Sequence, residues 1–153
     1  MTLARYALTV AGPRDFLINL VINTIVPWWV LRGMDAAPLV GNPSALTLLG
    51  PMCFLLFSIN TFSGFRNGVI YRRAGRTGPP LDPSARWIPA ALRVGLVYGA
   101  TALVAATALI FALAWRFPDA RLPSPSYIVL QGTLAACLAY AVQVNGVLQT
   151  RRL

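Results

Sequence analysis

The chain has 153 residues, enough for one domain, and pairs 57% hydrophobic with 11% charged residues, which leaves too little polar surface to solvate a globule. An ordinary soluble domain is thereby excluded, and an all-α integral membrane protein is the expected class. The net charge is +9 with no histidine; every basic residue is arginine and every acidic one aspartate. Imidazole ligation of haem or metal and a histidine proton shuttle are therefore ruled out.

Residues 1–13 carry Leu3, Tyr6, Leu8 and Val10 with Arg5 as their charge. That composition suits a short interfacial helix on the membrane surface, and equally a disordered tail. Arg14 and Asp15 then interrupt the approach to the first apolar stretch, so a cleaved secretory signal is not expected. Four apolar stretches follow, at 16–31, 45–62, 94–115 and 127–148. Each is predicted to cross the membrane. The third and fourth reach the roughly 20 residues that span a hydrocarbon core of about 30 Å, while the first two borrow flanking residues.

Short loops join successive spans into two predicted helical hairpins, within a single transmembrane domain covering 1–153, linked by a segment at 66–89. Arg72, Arg73 and Arg76 can prolong the second span as a basic helix until Gly78-Pro79-Pro80 ends it. The loops between spans of one hairpin hold Pro38, Gly41 and Pro43, then Pro118, Pro123 and Pro125, and neither is long enough to fold alone. Trp28, Trp29 and Trp115 fall at one interface, Trp87 and Tyr71 at the other, as aromatic belts do.

The arginines divide unevenly. One side receives Arg5, Arg14, Arg66, Arg72, Arg73, Arg76, Arg86, Arg93, Arg151 and Arg152; the other receives Arg32, Arg116 and Arg121. By the positive-inside rule both termini and the middle linker are expected in the cytoplasm of a bacterial inner membrane. The expected partners are anionic lipid headgroups, attracted at about 1 kcal/mol per basic residue beside a span, together with a protein subunit or a second copy, and not nucleic acid.

Small residues recur along span three as Gly95, Gly99, Ala102 and Ala106, and in span four as Gly132 and Ala136. Such stripes let helices approach closely in lipid. With the orientation applied, the polar residues Asn19, Asn23, Ser58, Asn60, Thr61, Ser63, Gln143 and Asn145, with Arg66 and Arg93, all fall in the inner leaflet. The outer half has little beyond Thr47, Thr107, Gln131 and Thr133. The inner layer is readable as an interhelical hydrogen-bond clamp, or as a cavity open to the cytoplasm that binds a small polar solute or a headgroup. Asn19 and Asn23 share one face at i, i+4 spacing, and Pro27 frees the carbonyl of Asn23.

Catalysis finds few residues to use. Glutamate is absent, Asp15, Asp35, Asp82 and Asp119 lie at or beyond the span edges, and no serine or cysteine has an evident base. Cys53 and Cys137 read as small buried apolar residues. Spans two and four share a faint order of Gly, Cys, amide and paired arginines, with different spacings and in parallel orientation.

Asn60-Thr61-Phe62-Ser63-Gly64-Phe65 resembles the Thr-Phe-Ser-x-Phe element of small four-helix fluoride channels. In that family the element lies in the third helix and oppositely oriented copies pair with weak charge bias; here it ends span two and the bias is strong. The match is treated as accidental. Ile18-Asn19-Leu20-Val21-Ile22-Asn23, Ala37-Pro38-Leu39-Val40-Gly41-Asn42-Pro43-Ser44 and Arg72-Arg73-Ala74-Gly75-Arg76-Thr77-Gly78-Pro79-Pro80 resemble recurrent segments of small four-span bacterial inner-membrane proteins, a group that brings no activity with it. The expected function is thus non-enzymatic and without cofactor: a membrane component acting by helix packing, as accessory subunit or homo-oligomer. The alternative is a small transporter, channel or lipid-headgroup binder that uses the inner-leaflet amides.

Overall fold

The computed structural model describes residues 1–76, 81 and 86–153. The chain begins with α1 (Leu3–Tyr6), a π-helical turn (Ala7–Ala11) and α2 (Gly12–Leu31), which follow one another without a break. The N-terminal segment is therefore the first turns of a continuous rod, neither a separate interfacial helix nor a tail. Thr2 caps it by accepting from Arg5 N at 3.2 Å, and the widened turn lies just before Pro13, which has no N–H to bond backward.

A three-residue strand β1 (Ala36–Pro38) follows, then α3 (Ala45–Arg73) and α4 (Trp87–Arg116), strand β2 (Arg121–Pro123), α5 (Ser124–Gln149) and a 3-10 turn (Thr150–Arg152). A capping box starts α3: Ser44 Oγ accepts from Thr47 N at 3.2 Å, and Thr47 Oγ1 accepts from Ser44 N at 2.9 Å. The helix runs on to Arg73, as its basic end allows. The Gly78-Pro79-Pro80 terminator lies outside the described residues.

Three of these helices, α3, α4 and α5 with its 3-10 extension, are long and apolar enough to cross a membrane. The fourth, α2, is shorter at 20 residues and less apolar, because Arg14, Asp15, Asn19 and Asn23 fall within it.

The helices stand in an open row, α2, α5, α3, α4. Close packing joins α2 to α5, α5 to α3 and α3 to α4, whereas α2 and α3 meet only marginally. This corrects the expectation of two packed hairpins: the sequence neighbours α2 and α3 are both held by α5 instead. Hydropathy marks which stretches are apolar and is silent on which of them touch.

Glycines decide the pairing. A Cβ placed on Gly64 would lie 2.8 Å from Gly146 Cα and from Gln143 O, and one on Gly146 would lie 3.0 Å from Gly64 Cα. Backbone therefore meets backbone where α3 crosses α5. On the other side of α3, a Cβ on Gly95 would lie 2.9 Å from Ser58 O, and Gly99 abuts Ser58 and Phe54. Gly132 abuts Thr24 of α2, Ala136 is fully buried, and Ala102 and Ala106 pack around Met52, Cys53 and Leu56.

The two interhelical loops fold together, although neither has the length to fold alone. β1 and β2 pair antiparallel with Ala37 opposite Leu122, and Ser124 N donates to Asp35 O at 3.0 Å. Beneath this ribbon Leu31, Ala37, Leu39, Ala45, Ile110 and Tyr127 form one core cluster. At the opposite end, which carries both termini, Leu3, Ala7, Ala11, Tyr71 and Val147 form another.

Candidate functional site

Because α2 and α3 both lean on α5 without closing on each other, a groove of about 560 Å³ runs between them. That volume lies within the range of small-molecule sites. Its walls are mostly aliphatic, among them Ile18, Ile22, Leu55 and Ile59. Its polar groups are fewer and arranged along its length.

The two helices of the wall, α2 and α3, are antiparallel, so depth can be followed from either. At the end nearer the termini stand Arg14 and Asp15, bonded to each other from Nε to Oδ1 at 3.2 Å. One helical turn further, Asn19 Nδ2 donates to Asn60 Oδ1 at 3.3 Å and Asn60 Nδ2 returns a long contact to Asn19 Oδ1 at 3.5 Å. Ser63 lies one turn nearer the termini than Asn60 on the same wall. A further turn along α2, Asn23 reaches the level of Gln131 on α5, a depth fixed by the contact of neighbouring Thr24 with Gly132. Thr47 stands at the ribbon end. Along α2, polar groups thus recur about every 6 Å, one step of four residues.

The amide donors are largely committed. Asn19, Asn23 and Asn60 each donate to the carbonyl four residues back, at 2.9 Å in every case, which leaves their helices undisturbed and their oxygens turned to other uses. Gln131 is different. It is only 3% exposed, lines the groove and leaves its Oε1 without a partner. A buried amide oxygen left unmet costs on the order of 1–3 kcal/mol.

Asp15 is also under-used. The residue is 5% exposed and, among the described residues, its carboxylate accepts from Arg14 alone, although a carboxylate offers about four lone-pair sites. Its partner Arg14 keeps 55% of its side chain exposed.

The polar residues expected in the inner-leaflet layer do not all face one site. Asn19, Asn23, Asn60 and Ser63 come together in the groove. Ser58 faces the other way and donates to Gly95 O of α4 at 3.2 Å. Thr61 and Gln143 are buried, and the Thr61 hydroxyl and both polar atoms of the Gln143 amide lack partners. Asn145 is half-buried, and Arg66 and Arg93 are exposed. Helical periodicity divides the layer: α3 presents one face to α4, one to α5 and one to the groove.

Sequence reasoning assigns the groove no role for Asp15, Arg14, Thr47 or Gln131. The signal for Asp15 is its spacing, since Asp15, Asn19 and Asn23 continue a single i, i+4 stripe. Gln131 gives no signal without knowledge that α5 floors the groove. Cys137, expected to be buried, is exposed on α5. Among the described residues no group of three Cys or Asp side chains comes together, so the groove's own chemistry is that of hydrogen bonding and one ion pair. No family model, curated protein or solved structure matches the chain.

Proposed function

We propose that this chain is a non-enzymatic, four-span protein of the bacterial inner membrane, with both termini cytoplasmic, that holds a membrane lipid in the groove between α2 and α3. The arginine partition supports the orientation, since the basic residues crowd the end that carries both termini. Exposed Leu17, Val21, Ile25, Trp28 and Trp29 support α2 as the fourth span, because such a surface suits hydrocarbon and its interface.

One observation carries the lipid reading: the buried, unpartnered oxygen of Gln131 inside a groove that already gathers three asparagines. Asn19 and Asn60 bond to each other across the groove, whereas the Gln131 oxygen bonds to neither, and a polar ligand or its hydration would meet the oxygen that the protein leaves unmet. The rims of the groove, Ile18, Ile22 and Ile59, are apolar and exposed, so it opens toward the bilayer and its occupant comes from there.

Replacing Asn19, Asn23 and Asn60 together by leucine tests the reading. The triple variant is expected to keep its thermal midpoint in detergent and to lose the stabilisation that added phospholipid gives the native protein. A lower midpoint with the lipid effect intact would make the asparagines a clamp and end the lipid reading.

A further inference from the structure

Resting on that reading, we infer that the occupant of the groove is a glycerophospholipid with a primary ammonium group, whose phosphate meets Arg14 and whose ammonium meets Asp15.

The mouth of the groove carries two opposite charges side by side, and each has capacity left over. Arg14 commits Nε to Asp15, and more than half of its side chain stays exposed, so its terminal nitrogens can take a phosphate in charge-assisted bonds. Asp15 is buried against the groove, and among the described residues its carboxylate accepts one hydrogen bond. A buried carboxylate with lone pairs to spare asks for N–H donors. A primary ammonium supplies three. A phosphatidylglycerol head offers Asp15 hydroxyl donors but no positive charge, and a trimethylammonium head offers charge without any N–H, so of the three a primary ammonium alone brings both charge and donors to the carboxylate.

The length of the groove agrees with this placement. Along α2, Arg14 and Val26 mark its ends, twelve residues or about 18 Å apart, close to the roughly 15 Å of one leaflet's hydrocarbon. One acyl chain can follow Ile18, Ile22 and Val26 while a second remains in the bilayer. Its ester carbonyl and glycerol region would lie beside Asn19 and Asn60, one turn below the charged mouth. The arginine excess at this end draws phosphate of any kind; only Asp15 tells an ammonium head from a purely anionic one.

The test is thermal stability of the purified full chain in mild detergent, titrated with phosphatidylethanolamine, phosphatidylglycerol or phosphatidylcholine of identical acyl chains. The native protein is expected to bind phosphatidylethanolamine about ten-fold more tightly than either other lipid, the worth of one charge-assisted hydrogen bond. Asp15→Asn is expected to abolish that preference and to leave phosphatidylglycerol binding as it was. Should Asp15→Asn not fold, Arg14→Gln serves, with binding of all three lipids reduced together. Equal stabilisation by the three lipids, or a preference that survives Asp15→Asn, overturns the headgroup assignment and leaves the groove as a lipid site. No stabilisation by any lipid overturns both.

Discussion

α3 meets its neighbours α5 and α2 in opposite ways. Against α5 it sets Gly64 on Gly146, with a Cβ at either position brought to 2.8 or 3.0 Å of the facing Cα, and the seam is closed by backbone contact. Toward α2 it turns Asn60, Ser63 and a row of aliphatic side chains, and the seam stays open around about 560 Å³. In lipid there is no hydrophobic force to press two helices together, so close packing needs small residues at the crossing. The α2–α3 seam lacks them on α3's side and is held from elsewhere. The ribbon core and the cluster around Tyr71 fasten α2 and α3 at their two ends, with Tyr6 stacked on Tyr71 at 4.1 Å and Tyr71 Oη donating to Met1 O at 2.9 Å. A groove clasped at both ends can remain open in the middle without the bundle coming apart.

The largest expected effect is at the closed seam. Gly64→Leu forces side-chain volume onto Gly146 and is expected to cost about 1–3 kcal/mol or more, read as a large drop in the thermal midpoint in detergent. Gly50→Ala, whose new Cβ would lie 3.4 Å from a Leu103 methyl, should change it little. A tolerated Gly64→Leu would mean that α3 and α5 are not in contact.

The clasp comes next. Tyr127 Oη donates to Ala45 O at 3.3 Å beneath the ribbon, and Tyr127→Phe should lower stability by about 1 kcal/mol. An unchanged midpoint would remove this bond from the account of how the outer end is tied.

The open seam should respond with the opposite sign. Gln131→Leu replaces a buried oxygen that has no partner, and lipid-free protein is expected to be as stable as the native chain or more stable, by about 1 kcal/mol. The stabilisation from added lipid should shrink at the same time. A destabilised lipid-free variant would show that Gln131 has a protein partner. The smallest effect belongs to Ser58→Ala, which removes the bond to Gly95 O and should cost about 0.6 kcal/mol, as single interhelical bonds in membranes do.

Much of the helical inventory was legible from hydropathy, and the i, i+4 spacing of Asn19 and Asn23 pointed to one face of the groove. What stayed hidden has physical reasons. Gly64 and Gly68 stand four apart, a small-residue signature in plain sight, but only the structure shows that Gly146 is what Gly64 meets. Pro38 and Pro123 read as breakers, although a proline is tolerated on an edge strand, and each closes one end of the two-stranded ribbon. Asp15 reads as a boundary because it is charged, yet its helix begins at Gly12 and carries it into the groove. Periodicity gives a residue its face; it does not say which helix the face meets.

The central claim is that the α2–α3 groove is a lipid site, and native mass spectrometry of the full chain released from mild detergent tests it most directly. The account predicts a population carrying one retained phospholipid, lost when Asn19, Asn60 and Gln131 are replaced together by leucine in a variant that still runs as a folded species. Native protein free of lipid, or a variant that retains the lipid equally well, would contradict it.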